Sequence, residues 1–381
     1  MEASLKAFAL LCALLVALAL GVPAAAGASR NHSRSSARAV LDKRRAIAAY
    51  NAMQRAYYIR GAGLYKGNPY SDAWPYAHAL AATISVAALP RMHARHRPDL
   101  IARLRGLEAY ADHVDPPPAG FLSQVSPPRG PGGARFNDDN EWIGIELLRL
   151  YHVDHLPSLI RRARQIFSMV SSQWDLAPNV ACPGGVPFRD LRVNGDRNTV
   201  SNAPGAELGT QLYTTTHQPA YLSRAERMYE WVRGCLLRPG GLYADHIDGE
   251  GVVDPTEWTY NQGTMIGAGV MLYRATHDRV YIQQAEGTAR AALRAFGPVQ
   301  LAQQPTTFDA IYFRNLLLLG GTSGDPRYKR AAQRYADDAW ANVRAANGLF
   351  MSGPSGTTQL LDQAAMVQVY ALLAEPPSAY F

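Results

Sequence analysis

Helical periodicity dominates this chain. From residue 36 onward apolar side chains recur three and four positions apart in window after window, and strict alternation is nearly absent. Twelve helices are expected, at about 36–59, 75–90, 98–112, 138–153, 157–173, 198–215, 219–235, 258–275, 279–294, 306–320, 326–343 and 358–374. The windows pair up through links that echo one another. Leu150-Tyr151 leads into His152 to Pro157, Leu212-Tyr213 into Thr214 to Pro219, Leu272-Tyr273 into Arg274 to Arg279, and Leu319 into Gly320 to Pro326. Each is a short polar link with a helix-start residue. The first helix of each pair is the more apolar and the second the more charged.

Six such hairpins predict an all-α fold, an (α/α)6 toroid of six helical hairpins with apolar helices inside and amphipathic ones outside. An open solenoid is the alternative. Loop lengths favour the ring, because the inner-to-outer links are short while the returns at 113–137, 174–197, 236–257 and 344–357 are long. Loops that long in a compact domain are usually functional. They should gather on one rim, at the N-terminal ends of the inner helices.

The 381 residues are 48% hydrophobic and 18% charged, which supports a large core and excludes a disordered chain. The expected organisation is a secretory signal peptide at 1–28, a basic tail at 29–45 and a single domain at 46–381. Lys6 supplies the basic start of the signal, Phe8 to Leu20 its apolar run, and Ala24-Ala25-Ala26 a small-residue cleavage site. An uncleaved membrane anchor is the alternative. A secreted or cell-envelope location follows. The net charge of +7 is concentrated in Ser29 to Arg45 and Arg91 to Arg105. That is a solvated surface or an electrostatic attachment to an anionic envelope; nucleic acid is not an expected partner, and a monomer is expected. Cys182 and Cys235 both follow outer helices of consecutive hairpins, so a disulfide is expected, with two free thiols as the alternative. No zinc-type cysteine spacing occurs, and neither metal nor cofactor is expected.

The candidate chemistry lies in Arg135-Phe136-Asn137-Asp138-Asp139-Asn140-Glu141-Trp142, which follows a Pro/Gly-rich loop and opens a helix. A retaining glycosidase places two carboxyls about 5–5.5 Å apart, and neighbouring Cα atoms are about 3.8 Å apart. One carboxylate, favoured by the helix start, would be the nucleophile; its partner, repelled by that charge, would keep a proton. The simpler reading makes Asp138 a helix cap and Glu141 the closing residue of a capping box. Other inner-helix starts are rich in amides and aromatics suited to hydroxyls and to sugar faces. They offer Trp74, Trp142, Phe188, Asn198, Asn202, Trp258, Tyr260, Asn261 and Gln262 as substrate-binding candidates. His152, His155, His217 and His277 fall at the short links and are read as caps or surface residues. Gly263, Gly267 and Gly269 are read as close helix packing.

These segments resemble glycoside hydrolase family 76, the α-1,6-mannanases. The resemblance rests on Asp138-Asp139-x-x-Trp142, Trp258-x-Tyr260-Asn261-Gln262-Gly263 and Asn202-x-Pro204, with looser matches at Trp74-Pro75, Gly184-Gly185 and Phe308 to Arg314. It implies a toroid, a retaining mechanism, an α-mannan-like polysaccharide or oligosaccharide in the cleft, Asp138 as nucleophile and Asp139 as general acid/base. Val186-Pro187-Phe188 and Asp309 depart from the family pattern. A transglycosylase using the same pair, a non-catalytic glycan-binding envelope protein and a toroidal epimerase are the competing readings. The epimerase would need cleft histidines, and only His78 is near.

Overall fold

The computed structural model describes residues 23–113, 120–189, 195–351, 356–376 and 379–380, with side chains from Ser36 onward. Most of the expected signal peptide, residues 1–22, lies outside the described residues. The helices are α1 Pro23–Tyr57, α2 Ala73–Ala88, α3 His93–Leu107, α4 Asn137–Asp154, α5 Pro157–Ser172, α6 Ala203–Thr216 and α7 Pro219–Leu236. They continue with α8 Thr259–Thr276, α9 Arg279–Ala295, the one-turn α10 Pro298–Leu301, α11 Thr306–Ser323, α12 Pro326–Asp338 and α13 Leu360–Ala374.

Six helices form a closed inner ring. Helix α2 packs on α4, α4 on α6, α6 on α8, α8 on α11, α11 on α13, and α13 back on α2. Their sequences explain the placement: α8, α11 and α13 are buried nearly all round, as a helix between two layers must be. The outer layer is amphipathic. Helix α5 buries Leu159, Ala163, Ile166, Phe167 and Val170, and turns its arginines outward. Five pairs are consecutive hairpins, α2–α3, α4–α5, α6–α7, α8–α9 and α11–α12. The sixth is closed by the chain's two ends, with α1 lying outside α13. Asp42 on α1 is fully buried, and Arg38 and Arg45 both reach Asp337 of α12.

The repeated links have one geometry. His155, His217, His277 and Gly324 each end an inner helix in the left-handed conformation, and each N–H donates to the carbonyl four residues back, at 2.7–2.9 Å. The histidines at 155, 217 and 277 are therefore C-caps. Pro157, Pro219 and Pro326 then open the next helix, and Asp278 and Asp325 accept a first-turn N–H. Gly263 marks a close backbone contact in the ring: a Cβ there would lie 2.6 Å from the backbone of Tyr312 on α11.

The long returns are fastened by a second repeated device. Asn140 on α4 accepts from the Phe121 N–H and donates to the Phe121 and Phe136 carbonyls. Asn202 does the same with Val186 and Asn198, and Gln262 with Tyr243 and Trp258. Gln363 pairs likewise with both polar groups of Phe350. A buried side-chain amide thus stands in for a strand partner. Cys182 and Cys235 form the expected disulfide, with Cα atoms 6.0 Å apart.

Three expectations change. Helix α3 begins at His93, with Pro98 in its second turn; the Ala94 carbonyl that loses its donor belongs to an exposed residue. Residues 198–201 are not α-helical. Arg197–Asn198 is a strand, Thr199–Ser201 a 3-10 turn, and α6 starts at Ala203 with Pro204 in its first turn. Short strands also occur: Tyr58–Ile59 pairs with Leu64–Tyr65, and Arg197–Asn198, His246–Ile247 and Val253–Asp254 form a three-stranded antiparallel sheet. Two-residue strands leave no readable alternation.

Candidate active site

Asp138 and Asp139 sit in the first turn of α4, on the rim where the inner helices begin. The N-cap is Phe136, an extended residue with no side-chain bond, and α4 starts at Asn137. The capping-box reading is therefore wrong. Asp138 is buried with Oδ1 lacking a hydrogen-bond partner, and both Glu141 oxygens lack a well-aligned one. Asn137 anchors the turn instead: its N–H donates to the Phe188 carbonyl at 3.0 Å and its Nδ2 to the Pro187 carbonyl at 2.9 Å.

The two aspartates face different neighbours. Asp138 shares its field with Asp245, and Tyr260 feels both of those charges. Half-buried Asp139 feels Asp72, the residue before α2. Burial is the main cause that raises both carboxyls above their ordinary range. Asp139 is pushed up to about 7, and Asp138 is raised well above, with the Asp139 charge adding to burial and first-turn N–H groups opposing it. Such a pair holds a proton between its members near neutral pH.

Aromatic side chains flank the pair on both sides. Towards α2, Trp74 lies 6.0 Å from Trp142, and His78 packs edge-on against Trp74 at 4.1 Å. His78 is buried and pushed down to about 3, so it is neutral and no base. Towards α8, Tyr260 stacks flat on Phe308 at 3.7 Å and Trp258 meets the same ring edge-on. Phe188 is half-buried against Phe136.

The amide candidates separate. Asn261 is buried, donates to Asp245 Oδ1 at 3.1 Å and keeps Oδ1 unpartnered. Asn198 is buried in the rim sheet with Oδ1 unpartnered. Asn202 and Gln262 are fully buried, and their amides are occupied by backbone groups. They shape the rim rather than face the cleft. Asp309 is also structural: it accepts from Thr259 at 2.9 Å, is buried, and is pushed up to about 8 by burial.

Sequence reasoning missed Asp245. It lies in the 236–257 return, half-buried, with its Oδ2 2.9 Å from His246 Nδ1. A lone acid in a loop gives no periodic signal. Among the described residues Asp245, His246 and Asp254 have cation-site spacing, with ligand atoms within 4.8 Å. Each already has a local partner: Asp245 and His246 bond each other, and Asp254 accepts from Thr256.

The sequence profile of glycosyl hydrolase family 76 matches residues 43–350. The chain belongs to that family. Solved family 76 structures share its fold. The mannosidase Bt3792 of Bacteroides thetaiotaomicron superposes with a TM-score of 0.78 at 21% identity, over 87% of this chain and 98% of that one. The GH76A α-1,6-mannanase of Salegentibacter sp. HEL1_6 gives 0.73 at 23% identity, over 87% and 99%. Among curated relatives, mannan endo-1,6-alpha-mannosidase DCW1 of Candida glabrata is 27% identical over 165 residues, 38% of this chain and 36% of that protein. The Saccharomyces cerevisiae DCW1 is 28% identical over 155 residues, 37% and 34% respectively. The chain thus spans about a third of these curated relatives' length. Among the described residues, no helix is long and apolar enough to cross a membrane.

Proposed function

We propose that this chain is an exported retaining glycoside hydrolase that cleaves α-1,6-mannosidic bonds in mannan or mannose-containing envelope glycans. The observation that carries the reading is the aspartate pair at the start of α4, Asp138 buried and Asp139 half-buried, its carboxyls raised by desolvation and set between Trp74–Trp142 and Tyr260–Phe308. Adjacent carboxyls suit the short separation of retaining enzymes. A variant of the Salegentibacter GH76A enzyme with two consecutive aspartates replaced by asparagine is described as inactive and in complex with α-1,6-mannotriose. That supports the same substrate class here.

In this reading Asp138 attacks the anomeric carbon while Asp139 gives its proton to the departing glycosidic oxygen. Water then attacks the glycosyl-enzyme, Asp139 takes the water's proton, and Asp138 is released as a carboxylate. The pair shares a proton near neutral pH; Asp138 is raised further than Asp139, so the placing of that proton on Asp139 follows the family resemblance and not the burial of the two groups. Asn261 and Asp245 hold the Asp138 side of the cleft, and the aromatics supply sugar-stacking faces.

Incubation with linear α-1,6-mannan and chromatography of the products tests the substrate. Azide tests the roles. Asp138→Ala should be inactive on all mannosides, and azide should restore turnover to a product of inverted configuration. Asp139→Ala should accumulate intermediate from an activated aryl α-mannoside, and azide should release a product of retained configuration. Exchanged stereochemistry would reverse the assignment; wild-type activity in either variant would end the glycosidase reading.

A further inference from the structure

Glu141 lies one helical turn beyond Asp138, on the same face of α4. It is fully buried, and its carboxyl oxygens have no well-aligned hydrogen bond, the Gly205 N–H being a donor close to them. The Oδ1 of Asp138 is buried and unpartnered. Orphaned buried oxygens on neighbouring turns are costly if both groups are charged. The pocket is nonetheless built to hold the Glu141 carboxyl. Gly205 of α6 faces it, and a Cβ there would lie 2.6 Å from Glu141 Oε1 and 2.8 Å from Met228 Sδ. Only glycine leaves that space.

The surroundings decide the protonation state. Glu141 is held by burial well above the usual carboxylate range. Asp138 and Glu207 add repulsion, and the Gly205 N–H is the opposing influence. Glu207 is itself pushed up to about 8 by burial, although Arg314 of α11 and Asn315 favour its charge. Asp138 in turn faces Asp139, Asp245 and Tyr260.

We propose that Glu141 is a positioning residue, a neutral carboxyl lodged beneath Asp138 that presents an O–H to the nucleophile's buried oxygen. The inference rests on Asp138 being the nucleophile. A buried carboxylate needs donors to exist as an anion, and Glu141 supplies one without adding positive charge. Its proton stays on Glu141 throughout. The hydrogen bond is strong while Asp138 is charged, slackens when Asp138 bonds to the sugar, and reforms when water releases it.

The test compares Glu141→Gln, which keeps a neutral donor, with Glu141→Leu, which does not. The first readout needs no substrate: the 13C titration of the Asp138 carboxyl, assigned by its loss in Asp138→Asn. Glu141→Leu should move that midpoint up by about one pH unit or more, and Glu141→Gln by much less. The second readout is the pH profile of kcat/KM on α-1,6-mannan oligosaccharides. The acidic limb should follow the same shift, with kcat at the optimum down about tenfold or more in Glu141→Leu and KM little changed. A purely structural role would lower the melting temperature and the active fraction but leave the Asp138 midpoint in place. An unshifted midpoint in folded Glu141→Leu, or an equal shift in Glu141→Gln, overturns the inference. A shifted midpoint in a protein that cuts no α-1,6-mannan leaves the hydrogen bond standing and removes the mannanase reading instead.

Discussion

Asn261 and Gln262 are consecutive, both fully buried amides, and both looked like sugar ligands in the sequence. Their partners separate them. Asn261 holds Asp245, whose charge acts on Asp138, so under the proposed mechanism Asn261→Ala should lower kcat/KM by roughly tenfold with little change in melting temperature. Gln262 holds Tyr243 and Trp258 by their backbones, so Gln262→Ala should cost roughly 2–3 kcal/mol of stability through orphaned buried groups. Enzyme kinetics and thermal unfolding of the two variants should give opposite rankings. Sequence can say that an amide stands at a helix start; it cannot say which backbone has claimed it. The aspartate pair was legible for the opposite reason, since its neighbours in sequence are also its neighbours in space. Asp309 gives a residue-scale prediction in pH. Its folded pKa, about 8, lies above its unfolded value near 4, so its stabilising contribution is present at low pH and is lost as pH rises through about 8. Asp309→Asn should therefore flatten the fall in melting temperature between pH 5 and 9; an unchanged slope would remove Asp309 from the titration.

At the scale of the element, helices were readable to within a few residues wherever a cap and a proline bracketed them. The short links show why. A left-handed residue closes one helix and a proline or a capping aspartate opens the next, all within a few positions. Three of those left-handed positions carry histidine, where a side chain costs about 1 kcal/mol and glycine does not. His217→Gly should therefore leave activity unchanged and stabilise by about 0.5–1 kcal/mol, since the more flexible unfolded chain offsets part of the gain. Denaturant unfolding would check this, and a loss of stability would mean that the imidazole makes contacts worth more than the strain. Two helices were misplaced in the sequence, α3 and α6; α6 failed where a strand and a 3-10 turn share the polar run before Pro204.

The whole molecule depends on contacts that no local pattern reveals. Helix α1 and helix α13 close the ring although some three hundred residues separate them, so the sequence could count hairpins without showing that its two ends complete one. The disulfide is another long-range tie, with Cys182 and Cys235 separated by 53 residues. Chain entropy gives it about 4 kcal/mol. It also roots the return whose Pro187 and Phe188 carbonyls hold Asn137, the residue before Asp138 and Asp139. Cys182→Ser/Cys235→Ser should unfold at lower denaturant and raise KM more than it lowers kcat. Equal stability of oxidised and reduced enzyme would remove the bond from the ledger of the fold.

Four returns share one grip, at Phe121, Val186, Tyr243 and Phe350, made by an amide at the start of the helix that follows. The parts of a return that make no further bond to the ring, such as Gly249 to Gly251 at the turn of the rim sheet, can change length or composition without moving it, because the fastening bonds lie nearer the root. The rim therefore behaves as a set of exchangeable cartridges on a constant hub. Grafting the segment between Tyr243 and Trp258 from one family 76 enzyme into another, with both grip residues kept, should transfer glycan preference while the recipient's unfolding behaviour stays its own.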